Sequence, residues 1–188
     1  MVFEFFRKIS NPLGVGIITV LTALVFWLVD VRGVPGIPQN KTLGQVGILD
    51  TAINYSPSEA YCRLTAYGEE GRHAYIVFLE RVDFLFPLIY GLFFATTITF
   101  GFARAFPGRP EFQKLCLLPL GTTLFDYSEN VCFLLMLKGY PNCLNTIARA
   151  ANVFTLAKWG FALASIILLL LALAGLITTK FFRRGINH

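Results

Sequence analysis

The chain has 188 residues, of which 55% are hydrophobic and 15% aromatic, and its mean hydropathy is +0.63. Charged residues make up only 14%, against roughly a quarter in a soluble domain, which excludes a water-soluble globular protein and puts most of the mass in a bilayer. The net charge of +5 comes from Lys and Arg that flank apolar runs rather than gather on one polar face, so nucleic acid is excluded as a partner.

The pattern predicts an all-α, polytopic integral membrane protein: a single four-transmembrane-helix bundle over residues 1–188, with a long first outer loop that contains a short amphipathic helix. The spans are expected at about 13–30, 75–105, 115–138 and 150–179, and the outer loop at 31–74.

Met1 to Ile9 mixes three Phe with Arg7 and Lys8, and reads either as an interfacial segment or as a basic flank that only orients the first span. Ser10-Asn11-Pro12 is a helix-start signal. The first span follows and ends near Trp27, an interfacial anchor; no small-residue cleavage site follows it, so it reads as a retained helix. In the loop, Gly33 to Pro38 is turn-rich, and Asn40-Lys41-Thr42 matches the glycosylation acceptor pattern. Ser56-Pro57-Ser58-Glu59 has the form of a capping box; Ala60, Tyr61, Leu64 and Tyr67 follow at helical spacing, with Gly68 as the stop.

The second span exceeds the roughly 20 residues needed to cross a bilayer, and Pro87 is expected to kink it. Phe106 to Lys114 is a short basic connection, and Gly139 to Cys143 a turn. The fourth span ends at Lys180, Arg183 and Arg184. With Arg7, Lys8, Arg104, Arg109 and Lys114, these basic residues predict that both termini face the cytoplasm, or the matrix or stroma of an organelle. Cys62 and Cys143 then fall in outer loops, where they form a disulfide if the compartment is oxidising and are otherwise two unrelated thiols.

The third span carries Asp126, Glu129 and Asn130 at i, i+3, i+4, on one helix face. Each charge there costs roughly 2.5–3.5 kcal/mol on insertion scales, so compensation is required. Counted inward from the outer helix ends, Asp83, Asp126, Glu129, Asn130 and Lys158 all fall roughly 12–18 Å deep. Three spans thus contribute to one polar layer. On the second span Glu80, Asp83, Pro87, Tyr90 and Thr97 form a stripe, with Arg81 nearer the surface; on the fourth Thr155, Lys158, Ala162 and Ser165 form another.

With every group ionised the layer is negative. A protonated carboxyl, a bound cation or a water-filled cavity would each relieve it. Only His73 and His188 are present, both peripheral, and no ligand-spaced motif appears, so no resident metal and no cofactor are expected. Neither a catalytic triad nor a phosphate loop is present.

Three functions fit. The first is binding of a small lipophilic ligand such as a lipid, sterol or quinone, with or without its chemical conversion. Asp83, Asp126 and Glu129 are then the acid and base candidates, Lys158 the electrostatic partner and Asn130 the orienting amide, with Trp159, Tyr90, Arg81 and Glu80 around them. The second is a structural subunit of a larger membrane complex, in which the layer only fixes helix packing and Trp159 is packing too. The third is a proton or cation carrier. In topology (four spans, a long first outer loop, buried carboxylates) the chain resembles the sterol-isomerase and sigma-2 receptor family. That likeness extends to no individual residue. Membrane lipid is the expected partner, together with the lipophilic molecule or other membrane subunits.

Overall fold

A computed structural model describes residues 2–32 and 47–185; the glycosylation pattern and the turn-rich Gly33 to Pro38 lie outside them. The described residues are helical, with no strand. The helices are α1 (Val2–Ile9), α2 (Pro12–Arg32), α3 (Pro57–Ala66), α4 (Gly68–Arg81), α5 (Phe86–Ala105), α6 (Pro110–Gln113), α7 (Leu118–Gly139) and α8 (Asn145–Gly185), with 3-10 turns at Leu49–Thr51 and Lys114–Leu117.

Among the described residues two helices are long and apolar enough to cross a membrane, α5 and the Asn145–Thr179 part of α8. A third span results if α1 and α2, which meet at a bend of 94°, are taken as one. That bend sits at the Ser10-Asn11-Pro12 signal. The Asn11 side chain accepts from the Gly14 N–H at 2.9 Å and its amide donates to the Lys8 carbonyl at 3.2 Å. A Cβ at Gly14 would lie 2.1 Å from the Ile9 carbonyl oxygen, so only glycine admits so sharp an entry. α7 has the length of a span, but Asp126, Glu129 and Asn130 lower its hydropathy.

The helix boundaries correct the sequence reading in four places. The expected second span over 75–105 is two helices, α4 and α5, broken at residues 82–85. Pro87 has no N–H for the Asp83 carbonyl four residues back, and the chain resolves this by leaving the helix rather than bending it. The last part of the outer loop is already helical, because α4 starts at Gly68 (φ +67°) directly after α3. The third helix begins at Leu118, after a 3-10 turn. The fourth begins earlier, at Asn145, and its apolar part of 35 residues is about 52 Å long, well beyond the roughly 30 Å of a hydrocarbon core.

The chain divides into two compact units. The first comprises Met1–Val25, Ile89–Thr122 and Gly160–His188. Its core joins Phe6, Ile98, Phe102 and Ala172. Small residues let α5 and α8 approach there: a Cβ on Gly101 would lie 2.6 Å from the Ala172 Cβ, and one on Gly175 2.6 Å from the Ala105 Cβ. On its α8 segment Leu163, Ile167, Leu170 and Ile177 stay exposed, an apolar surface suited to lipid.

The second unit comprises Phe26–Leu88 and Thr123–Trp159. Its α3 forms as the capping signal requires: Ser56 accepts from the Glu59 N–H at 3.2 Å and the Glu59 carboxylate accepts from the Ser56 N–H at 2.6 Å. Ala60, Tyr61, Leu64 and Tyr67 then bury one face of α3 against Phe133, Met136 and Ala148. Burial pushes the Tyr67 hydroxyl up to about 12, and that hydroxyl donates to the Gly47 carbonyl at 2.8 Å.

Candidate functional site

The second unit holds the polar cluster, and α7 is its spine. The broken helix before it leaves carbonyls without helical partners, and α7 supplies donors to them. Asn130 Nδ2 lies 3.4 Å from the Asp83 carbonyl, the one that Pro87 cannot serve. Tyr127 donates its hydroxyl to the Phe84 carbonyl at 2.6 Å; Thr123 donates at 2.9 Å to the Pro87 carbonyl, which already lies in the first turn of α5. The Pro87 break therefore aims Asp83, itself 4% exposed, at the face of α7 that carries Asp126, Glu129 and Asn130.

Lys158 of α8 is the cluster's cation. Its ammonium is paired with the carboxylates of Asp50 and Glu129, and lies 3.6 Å from Asp126 Oδ1. The Lys158 side chain is only 7% exposed, so this pairing is largely shielded from solvent. Thr155, one turn before, donates to the other Glu129 oxygen and lies 3.2 Å from the Tyr55 hydroxyl. Burial raises the Tyr55 hydroxyl well above its ordinary range, keeping it protonated as a donor. The Tyr55 N–H donates to Asn152 Oδ1 at 3.0 Å and the Asp50 N–H to the Tyr75 hydroxyl at 3.2 Å, which fixes the loop on α8 and α4.

Of the residues read as candidates from the sequence, Asp83, Asp126, Glu129, Asn130 and Lys158 assemble here. Trp159 stands at the edge, 43% exposed, with the Lys158 ammonium 5.8 Å from its ring centre. Glu80 and Arg81 are exposed, and Glu80 pairs with Lys138 at 2.7 Å instead. Tyr90 belongs to the other unit. Cys62 and Cys143 are exposed free thiols here, and Tyr61 and Leu144 beside them share a hydrogen bond of 2.6 Å.

Sequence reasoning missed Asp50. It was one acid in a long loop, yet the apolar Ile48 and Leu49 before it are the signal that this loop turns inward; Leu49 is fully buried. With Asp50 included, three carboxyl groups gather on the Lys158 ammonium, and Asp83 stands beside them without an ion pair among the described residues. Asp83 Oδ2 and Asn130 Oδ1 are buried with no hydrogen-bond partner. Carboxylate oxygens of Asp50, Asp83 and Asp126 all lie within 4.8 Å of one another, a set of hard ligands that could hold a cation. Chemically the arrangement can accept hydrogen bonds, carry protons or neutralise positive charge.

Comparison with protein-family models, with curated proteins and with solved structures gives no match.

Proposed function

We propose that the protein is a four-span integral membrane protein that binds a small lipophilic ligand at the buried carboxylate cluster of its second unit. The observation that carries this reading is the mismatch of charge and hydrogen bonding there: a cluster of four carboxyl groups holds one ammonium, which reaches three of them, while Asp83 Oδ2 and Asn130 Oδ1 have no partner. Buried polar atoms are rarely left so without a role. Unused acceptors favour a ligand with a donor head, so a hydroxyl-bearing lipid or sterol fits better than a quinone. If the ligand is converted, Asp83, Asp126 and Glu129 are the acid and base groups.

The four spans of this reading are α2, the α4–α5 pair, α7 and α8. α7 qualifies because its charged face is engaged within the protein, while Leu124, Val131 and Leu135 leave an exposed apolar face for lipid. The basic residues Arg104, in the last turn of α5, and Arg109 and Lys114, between α5 and α7, favour both termini on the cytoplasmic, matrix or stromal side.

The pairing of Lys158 with three carboxylates favours a second reading, in which the cluster is structural and the protein an accessory subunit of a membrane complex. The double variant Asp126→Asn/Glu129→Gln separates the two. Loss of the bound ligand with folding intact supports the first; loss of assembly or stability without any ligand supports the second. A variant unchanged in ligand, stability and assembly contradicts both.

A further inference from the structure

We infer that Asp50, Asp83 and Asp126 form a site for a divalent cation of calcium size, with the Asn130 carboxamide oxygen as a fourth ligand. The inference goes beyond the ligand-binding reading and does not depend on an organic molecule. Three oxygens within 4.8 Å of one another enclose a point no more than about 2.8 Å from each, close to the 2.3–2.6 Å of calcium–oxygen ligation. Magnesium, at 2.0–2.1 Å, would need a larger contraction.

Lys158 neutralises the other side of the cluster. It pairs with Asp50 and Glu129 and approaches Asp126 at 3.6 Å, but among the described residues no ion pair reaches Asp83. Asp83 Oδ2 is buried without a partner. Asn130, outside the carboxylate set, adds an independent observation. Its side-chain nitrogen is held against the Asp83 carbonyl at 3.4 Å, and its Oδ1, in a residue 5% exposed, has no partner either. A neutral oxygen beside carboxylates, with no nitrogen or sulfur donor, is hard-cation chemistry. With all four carboxyl groups ionised, the one ammonium would leave an excess of three negative charges, which a divalent ion would reduce to one. The Asp50 side chain, 22% exposed, gives the ion contact with the surroundings.

The test is calorimetric titration of the full chain, chelator-treated in maltoside micelles, with calcium chloride and then magnesium chloride. Saturable one-to-one calcium uptake, at least about tenfold tighter than magnesium, is expected. Asp83→Asn should weaken calcium at least about tenfold, while Glu80→Gln, at an exposed pair, should not. If Asp83→Asn does not fold, Asn130→Ala carries the test, with weaker calcium binding expected. Absence of saturable uptake, or uptake unchanged in these cluster variants, overturns the inference. Either result leaves the organic ligand to be decided separately, because the titration contains none.

Discussion

Replacing Lys158 with Met tests the energetic role of the cluster. Methionine preserves much of the apolar stem but removes the cation that pairs with Asp50 and Glu129 and lies 3.6 Å from Asp126. Because the Lys158 side chain is 7% exposed and that of Glu129 0%, water is a poor substitute for the partner that Glu129 loses. Breaking a buried pair in this way costs about 3–5 kcal/mol. At about 2–4 °C per kcal/mol for a chain of this size, the thermal midpoint in detergent should fall by roughly 6–20 °C. The internal comparison is Lys138→Met. Its pair with Glu80 has side chains 57% and 47% exposed and is worth about 0.2–1 kcal/mol. Adding Glu129→Gln to Lys158→Met removes one stranded charge while keeping an oxygen for Thr155, and should recover part of the loss. A Lys158→Met shift no larger than that of Lys138→Met would refute the reasoning.

Other outcomes follow from local geometry. Gly101→Val forces a side chain into Ala172, which has no flexible end to move aside; a loss of about 1–3 kcal/mol in thermal or denaturant unfolding is expected. Tyr127→Phe strips the Phe84 carbonyl of its hydroxyl donor and should cost about 0.5–1.5 kcal/mol by the same measurement. Ser56→Ala removes the α3 cap and should cost about 1 kcal/mol. The Glu59 carboxyl is held below its usual range, first by the Ser56 N–H and then by the Ser56 hydroxyl. Its contribution is therefore present above the ordinary carboxylate range and lost as pH falls through the lowered value. Hydrogen exchange should show α3 amide protection declining in acid, and pH-independent protection would contradict this.

The starts of α2 and α3 were legible because each rests on a local side-chain signal. Asn11 and Ser56 stand where capping places them, and Gly68 carries the positive φ that ends α3. The i, i+3, i+4 spacing of Asp126, Glu129 and Asn130 likewise needs only helical geometry. The break at 82–85 was hidden because Val82, Phe84, Leu85 and Phe86 continue the apolar run, so hydropathy passes over it. Pro87 marked the neighbourhood but not the outcome. Counting along one continuous helix put Asp83 near Asp126 and Asn130, but the helix is not continuous; it is the break, with Asn130 on its carbonyl, that brings them together. Asp50 depends on how a loop docks, and no periodicity in the sequence reports that.

Native mass spectrometry after gentle solubilisation from the protein's own membrane tests the central claim most directly. The account predicts a monomer or small oligomer that retains one discrete mass distinct from bulk lipid, and a double variant Asp126→Asn/Glu129→Gln that does not retain it. Recovery only within a large assembly, with no small molecule bound, would contradict the account and make the carboxylate cluster a structural element of that assembly.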